Sequence, residues 1–367
     1  MSAQDSDTDA LKANAPVDPE LGFLARSREW CDLLPWLRLS RIMRIAGSPL
    51  LVGMTWVTIG IWLLGTHWIL QDDFPTRRGS LIEQNAVQAG VQSLSLISRL
   101  AYQTLPMSIS HSDNRLANWE WWAASAWTLL VWSLPALVLL RQGAMLTAGR
   151  GMGPISTVLR LAKSRLIPAK LSILITLAGP ALLVISLGLL VALIDQIPVV
   201  STGNWILAAF AGLLLILAGI LNFGSYFVAP LSWAAMVIEP VGDPIDAVSR
   251  GYESFLRRPL RLISYLIFAG LLLVILFVLE VGIVGSAISL GEIAIRWGSP
   301  ADPSLITKVT LLLSFLPSAG LIAMIWGLVG GIYLLLRHDT GEQEIEDIWM
   351  PPETTIITLP TLPGQKS

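Results

Sequence analysis

The chain contains one cysteine and three histidines, and only 14% of its 367 residues are charged. Cys31 on its own forms neither an intramolecular disulfide nor a cysteine-based metal cluster, and it says nothing about redox compartment. His67, His111 and His338 fall on two sides of the topology derived below, so they do not supply the ligand set of a histidine metal site. No HExxH, GxSxG or P-loop pattern occurs. Gly149-Arg-Gly151-Met-Gly153 has the glycine spacing of a nucleotide loop but follows an apolar helix and not a strand, and it reads as a bent linker. We therefore expect no enzyme, no catalytic, cofactor-binding or metal-ligating residue, and no nucleic-acid partner.

What the chain has in excess is apolar surface: 54% of its residues are apolar and its mean hydropathy is +0.66. These values belong to an integral membrane protein. A hydrocarbon core about 30 Å thick needs roughly 20 residues of helix with almost no charge. Counting charge-free runs predicts an all-α bundle of six spans at about 46–70, 119–140, 171–194, 205–228, 262–284 and 309–336, here TM1 to TM6. Pro198, Gly203 and Asn204 are expected to break the start of the run that carries TM4, and Pro230 its end. The first 44 residues carry Asp, Glu and Arg and the first apolar run is too long for a cleaved h-region, so no signal peptide is expected.

Lysine and arginine give the orientation. One side holds Arg26, Arg28, Arg38, Arg41, Arg44, Arg141, Arg150, Arg160, Lys163, Arg165, Lys170, Arg250, Arg257, Arg258 and Arg261. The other holds Arg77, Arg78, Arg99, Arg115, Arg296 and Lys308. That imbalance predicts cytoplasmic termini in a bacterial inner membrane. Trp68, Trp119, Trp121, Trp122, Trp205 and Trp297 then mark the outer interface, and Trp36 and Trp233 the inner one.

An internal echo organises the basic side. Shifted by 90 residues, Asp243-Pro-Ile-Asp-Ala-Val-Ser-Arg250 falls on Gly153-Pro-Ile-Ser-Thr-Val-Leu-Arg160. Each copy has a cap-compatible residue, proline at the first helical position and a second proline, Pro168 or Pro259, at its end. Ile155, Val158, Leu159, Ala162 and Leu166 share a face in one; Ile245, Val248, Tyr252, Phe255 and Leu256 do so in the other. A looser copy precedes TM1. Elbow helices are thus expected at about 36–46, 154–167 and 244–258, each leading into a transmembrane hairpin. The six-helix domain covers 33–338, flanked by a largely disordered segment, 1–32, and an acidic, Pro/Thr-rich tail, 339–367, also expected to be disordered. The external loop, 72–118, is expected to contain a second kind of amphipathic helix, with Val87, Val91, Leu94, Ile97 and Ala101 on one face.

Two groups of candidate site residues follow. Near an anionic inner leaflet each Lys or Arg contributes about 1 kcal/mol, so Arg160, Lys163, Arg165, Lys170, Arg250, Arg257, Arg258 and Arg261 are candidate lipid-headgroup contacts. Asn222, Ser225, Tyr226 and Glu280 are a candidate polar intramembrane site. Glu280 lies eighteen residues past Leu262, about 27 Å along a helix, which places it near the outer interface as a structural acid rather than an ion-coupling site. Pro135, Pro180 and Pro317 lie inside spans, and broken spans line many transporter sites.

The stretch Asp243-Pro-Ile-Asp-Ala-Val-Ser-Arg-Gly-Tyr-Glu-Ser-Phe-Leu-Arg-Arg-Pro259 resembles an element of uncharacterised bacterial multi-pass inner-membrane proteins, in which an amphipathic helix ends in Arg-Pro and leads into a span. It is similar, more loosely, to the non-catalytic membrane domain attached to some glycerophosphodiester phosphodiesterases. The resemblance covers about 150–280, and Gly251 stands where the pattern has Ser. It implies a membrane role with no catalytic residues to transfer. Two function classes are carried forward: a non-enzymatic scaffold or accessory subunit with membrane-protein partners or a second copy, and a transporter or lipid-handling protein with a site between TM3, TM4 and TM5.

Overall fold

The computed structural model describes residues 34–70, 119–195, 204–240, 242–298, 303–341 and 344–350, and every regular element among them is helical. A 3-10 helix, Pro35–Ile42, runs into one α turn, Met43–Ala46, to make the first elbow. Then follow α1 (Pro49–Leu70), α2 (Trp119–Thr147), the second elbow α3 (Ile155–Ser164), α4 (Leu166–Asp195), α5 (Asn204–Ile238), the third elbow α6 (Pro244–Arg257), α7 (Pro259–Gly298), α8 (Pro303–Ser314) and α9 (Leu316–Asp339). Six stretches are long and apolar enough to cross a membrane, α8 and α9 together supplying the sixth. Segments 1–33, 71–118 and 351–367, with the expected external helix, lie outside the described residues.

Several boundaries differ from the sequence reading. Pro230 does not end α5, which continues eight residues to Ile238. A mid-helix proline costs about 3 kcal/mol, and here dense packing of that half of α5 between α2, α4 and α6 outweighs it. TM5 does not stop near residue 284, because α7 runs on to Gly298. TM6 is two helices that meet at Phe315, just ahead of Pro317, whose missing N–H cannot serve the ladder. Ser164 ends α3, and Pro168 falls in the first turn of α4 instead.

Helix α9 is the axis of the bundle, buried along most of its length. The sequence permits this through glycine: a Cβ at Gly327 would strike Ile45, one at Gly330 would strike the Leu140 carbonyl, and one at Gly143 would strike Gly327. Small residues let backbones approach where lipid supplies no hydrophobic force between helices. The first elbow closes this seam by laying Leu39, Ile42 and Ile45, all fully buried, against α9.

The elbow end is the tightly packed end. In α6 the Asp243 carboxylate caps the helix by accepting from the Ile245 N–H at 3.0 Å, with Pro244 at the first position. The face of α6 that packs on α5 is the small one, Ala247, Val248, Gly251 and Ser254, where a Cβ on Gly251 would crowd Val228. Of the apolar face expected from the sequence, Tyr252 and Phe255 are half-buried while Ile245 and Leu256 stay exposed. In the second elbow Pro154, not Gly153, occupies the cap position, because Gly153 is held elsewhere: its N–H donates to Gln142 Oε1 and its carbonyl accepts from Gln142 Nε2, each at 2.9 Å.

The far end is looser. Helices α4 and α5 pack on each other, with Leu183, Leu187 and Leu190 half-buried, yet no described residue beyond Pro180 on α4 or before Ala218 on α5 is buried. No substantial packing joins this pair to α7, which lies instead against α8 and α9.

Candidate functional site

Polar side chains concentrate at the elbow end, where four elements meet. Glu239, just past the end of α5, is 4% exposed. It accepts from Arg250 Nη1 of α6 at 2.7 Å and from the Tyr333 hydroxyl of α9 at 2.8 Å, with Arg337 Nη1 at 3.8 Å. Asp246 holds Arg250 from one turn away at 2.9 Å. Burial alone would lower the Arg250 pKa, but Glu239, Tyr333 and Asp246 together raise it above its ordinary value. A second acid, Asp339, pairs with Arg261 and accepts from the Tyr265 hydroxyl at 2.7 Å, fastening the end of α9 to the start of α7.

The tail contributes as well, which corrects the expectation that everything past residue 339 is disordered. Gly341 adopts a left-handed φ of 84°, a turn that glycine makes without a Cβ clash, and residues 344–350 then dock on the bundle with Ile345 and Ile348 buried. Their backbone is held by arginines. Arg337 Nη2 donates to the Asp347 carbonyl at 2.6 Å, Arg150 Nη2 to the Glu346 carbonyl at 2.9 Å, and Arg141 Nη2 to the Trp349 carbonyl. Arg141 Nη1 also reaches the Val237 carbonyl at 2.8 Å, and Arg165 lies 5.9 Å over the Trp349 ring. Arg38 pairs with the Glu346 carboxylate.

The eight candidate lipid contacts divide. Arg250 is paired with Glu239 and Asp246, Arg257 with Glu253, and Arg261 with Asp339, while Arg165 donates to the Pro240 carbonyl at 2.7 Å. Arg160 and Lys163 are exposed on α3, and Lys170 and Arg258 are half-buried. The intramembrane candidates are not brought together. Asn222, Ser225 and Tyr226 sit on α5 beneath α6, where Gly224 faces Tyr252 and Phe255 and the Ser225 hydroxyl donates to the Asn222 carbonyl. Tyr252 donates to the Leu221 carbonyl at 3.4 Å there, and burial pushes its phenol pKa up.

Glu280 is elsewhere, on α7, with its carboxylate directly over Gly320 in the second turn of α9. One of its oxygens, Oε2, is shielded and finds no hydrogen-bond partner among the described residues. The helix does not end near it but carries on well past it. Trp297 lies seventeen residues beyond it, about 25 Å along α7, and Arg261 nineteen residues before it, about 28 Å. Glu280 is therefore a mid-helix acid beside the α8–α9 break. Among the described residues no three His, Cys, Asp or Glu side chains gather where they could hold a metal ion.

Sequence reasoning missed Glu239, Arg141, Tyr333, Arg337, Tyr265, Asp339 and the docked strap. Two signals were available. Arg141 and Arg337 are the first charges after long apolar runs, and Ile345, Ile348 and Trp349 punctuate an otherwise acidic tail. No family model matches the chain, and no curated protein and no solved structure is significantly similar to it.

Proposed function

We propose that the chain is a non-enzymatic protein of a bacterial cytoplasmic membrane, a scaffold or accessory subunit of a larger membrane complex, with its elbow end and both termini in the cytoplasm. The observation that carries this reading is the α4–α5 pair. Its far half buries no described side chain, so two apolar helices project from a bundle whose other end is densely packed. Helix association in lipid depends on close packing and small residues, and Gly188 and Gly212 on this arm have open space where a Cβ would point. A partner span laid against them completes the packing that the described residues do not. The orientation rests on the excess of Lys and Arg at the elbow end.

A Cys31→Ser background carrying Leu189→Cys or Leu213→Cys, both positions well exposed, tests the arm by thiol-directed cross-linking in native membranes. An adduct with another protein or a second copy is expected. Recovery of monomer alone from both positions would sink the subunit reading. Reporters fused after Gly151 and Pro240 should both report cytoplasm, and an external signal from either reverses the topology.

A transporter or lipid-handling role is the second reading, and Glu280 beside the α8–α9 break favours it, since discontinuous helices build such sites. That role requires an aqueous path. A Glu280→Cys variant that reacts with a membrane-impermeant thiol reagent would support it, and an inert one would favour the scaffold.

A further inference from the structure

Arg141 is 2% exposed, and each of its hydrogen-bond acceptors is neutral: the Val237 carbonyl, the Trp349 carbonyl and Met350 Sδ. The charge that acts on it is of the same sign, that of Arg150. Arg150 and Arg165 meet the same strap, one through the Glu346 carbonyl and the other over the Trp349 ring. None of these three guanidiniums has a carboxylate partner among the described residues, although Glu344 and Asp347 are close in sequence. Those two residues are exposed and offer backbone carbonyls to Arg337 instead. A buried charge is ordinarily paired, because its desolvation is otherwise uncompensated.

We infer that Arg141, Arg150 and Arg165 form a binding site for a phosphate-class anion, and that residues 346–350 occupy it in the closed state with their carbonyls and the Trp349 ring. The guanidinium fork matches phosphate oxygens two at a time, and three cations suit a group bearing one to two negative charges better than a lone carboxylate. The strap is the right cover. It lies over Arg141, Met350 beside that contact is 48% exposed, and Ile345 and Ile348 are buried as its anchors. Binding an anion at Arg141 displaces Trp349 and frees this end of the strap. The inference is independent of the scaffold reading, since it concerns the elbow end alone.

The full chain, Cys31→Ser with a spin label on Met350→Cys at the exposed end of this contact, tests this in phosphatidylcholine vesicles. One arm titrates inorganic phosphate. The other replaces part of the lipid with phosphatidic acid and omits free phosphate, which separates a soluble ligand from a lipid headgroup. Chloride at matched ionic strength is the control. We expect saturable mobilisation of the label in at least one arm. Arg141→Lys, which keeps the charge and loses the fork, should raise the half-saturation point about tenfold. Trp349→Ala, which weakens the competing strap, should lower it by a similar factor. Should Arg141→Lys fail to fold, Trp349→Ala decides alone. No saturable response in either arm, an equal response to chloride, or an unchanged half-saturation in Trp349→Ala overturns the assignment.

Discussion

Replacing Glu239 with Gln removes the one buried carboxylate that α5, α6 and α9 share at the elbow end, and the cost follows from what it leaves behind. Arg337, 4% exposed, loses its only acid among the described residues and keeps the carbonyls of Asp347 and Glu344. Arg250 keeps Asp246 at 2.9 Å, so its charge stays paired. Tyr333 keeps an acceptor, now an amide oxygen. Breaking a buried ion pair from one side costs about 3–5 kcal/mol, and a single hydrogen bond to a charged group about 1.5–3. With Arg250 compensated and Arg337 half compensated, we expect the lower part of the range, about 3 kcal/mol. Reversible unfolding in mixed micelles, compared with Glu239→Gln/Arg337→Gln, measures it. The double variant should recover part of the loss, because the stranded guanidinium is gone, leaving a coupling of about 1 kcal/mol or more. A single-variant loss under about 1 kcal/mol, or strict additivity, would refute the claim that this carboxylate is a structural node.

Gly330→Val should separate α2 from α9, because a side chain there meets the Leu140 backbone, which no rotamer change relieves; Gly60→Val, with open space around it, is the matched control. Thermal stability should fall by several degrees in the first and hardly at all in the second, and equal effects would discount the glycine seam. For lipid contact, Arg160→Ala/Lys163→Ala should weaken the preference for anionic over neutral lipid seen by native mass spectrometry, by about 1 kcal/mol per charge. Arg257→Ala/Arg261→Ala should change it much less, since both cations are already paired within the chain.

The elements that the sequence made legible are those governed by local rules. Six apolar runs became six spans, and Asp243-Pro244 became a capped helix start, because composition and capping chemistry act within a few residues. The errors share a cause too. Charge-free runs end at the first charge, Arg141 after TM2 and Glu280 in TM5, so spans bounded from them stop at 140 and about 284, whereas the helices continue to Thr147 and Gly298. A charge in mid-helix is tolerated when neighbouring elements accommodate it, through Gly320 for Glu280 and through the strap for Arg141. Such accommodation is tertiary and leaves no local mark. Pro230 is the same lesson for backbone: its penalty is local, and the packing that offsets it comes from α4 and α6.

The basic residues at the elbow end therefore have two uses that the sequence merges. In the proposed orientation their sum sets the topology, yet individually many of them are fasteners: Arg250 ties α6 to the end of α5, Arg261 ties α7 to α9, and Arg165 ties the start of α4 to Pro240 and Trp349. Orientation depends only on the number of cations near the span ends, whereas fastening depends on which oxygen each one reaches. Conservative exchange to Lys preserves the first and not the second, because an ammonium lacks the planar fork. Topology should thus survive Arg→Lys changes at positions 165, 250 and 261 together, while the packing of the elbow end does not, and that separation distinguishes a charge that steers insertion from one that holds the fold.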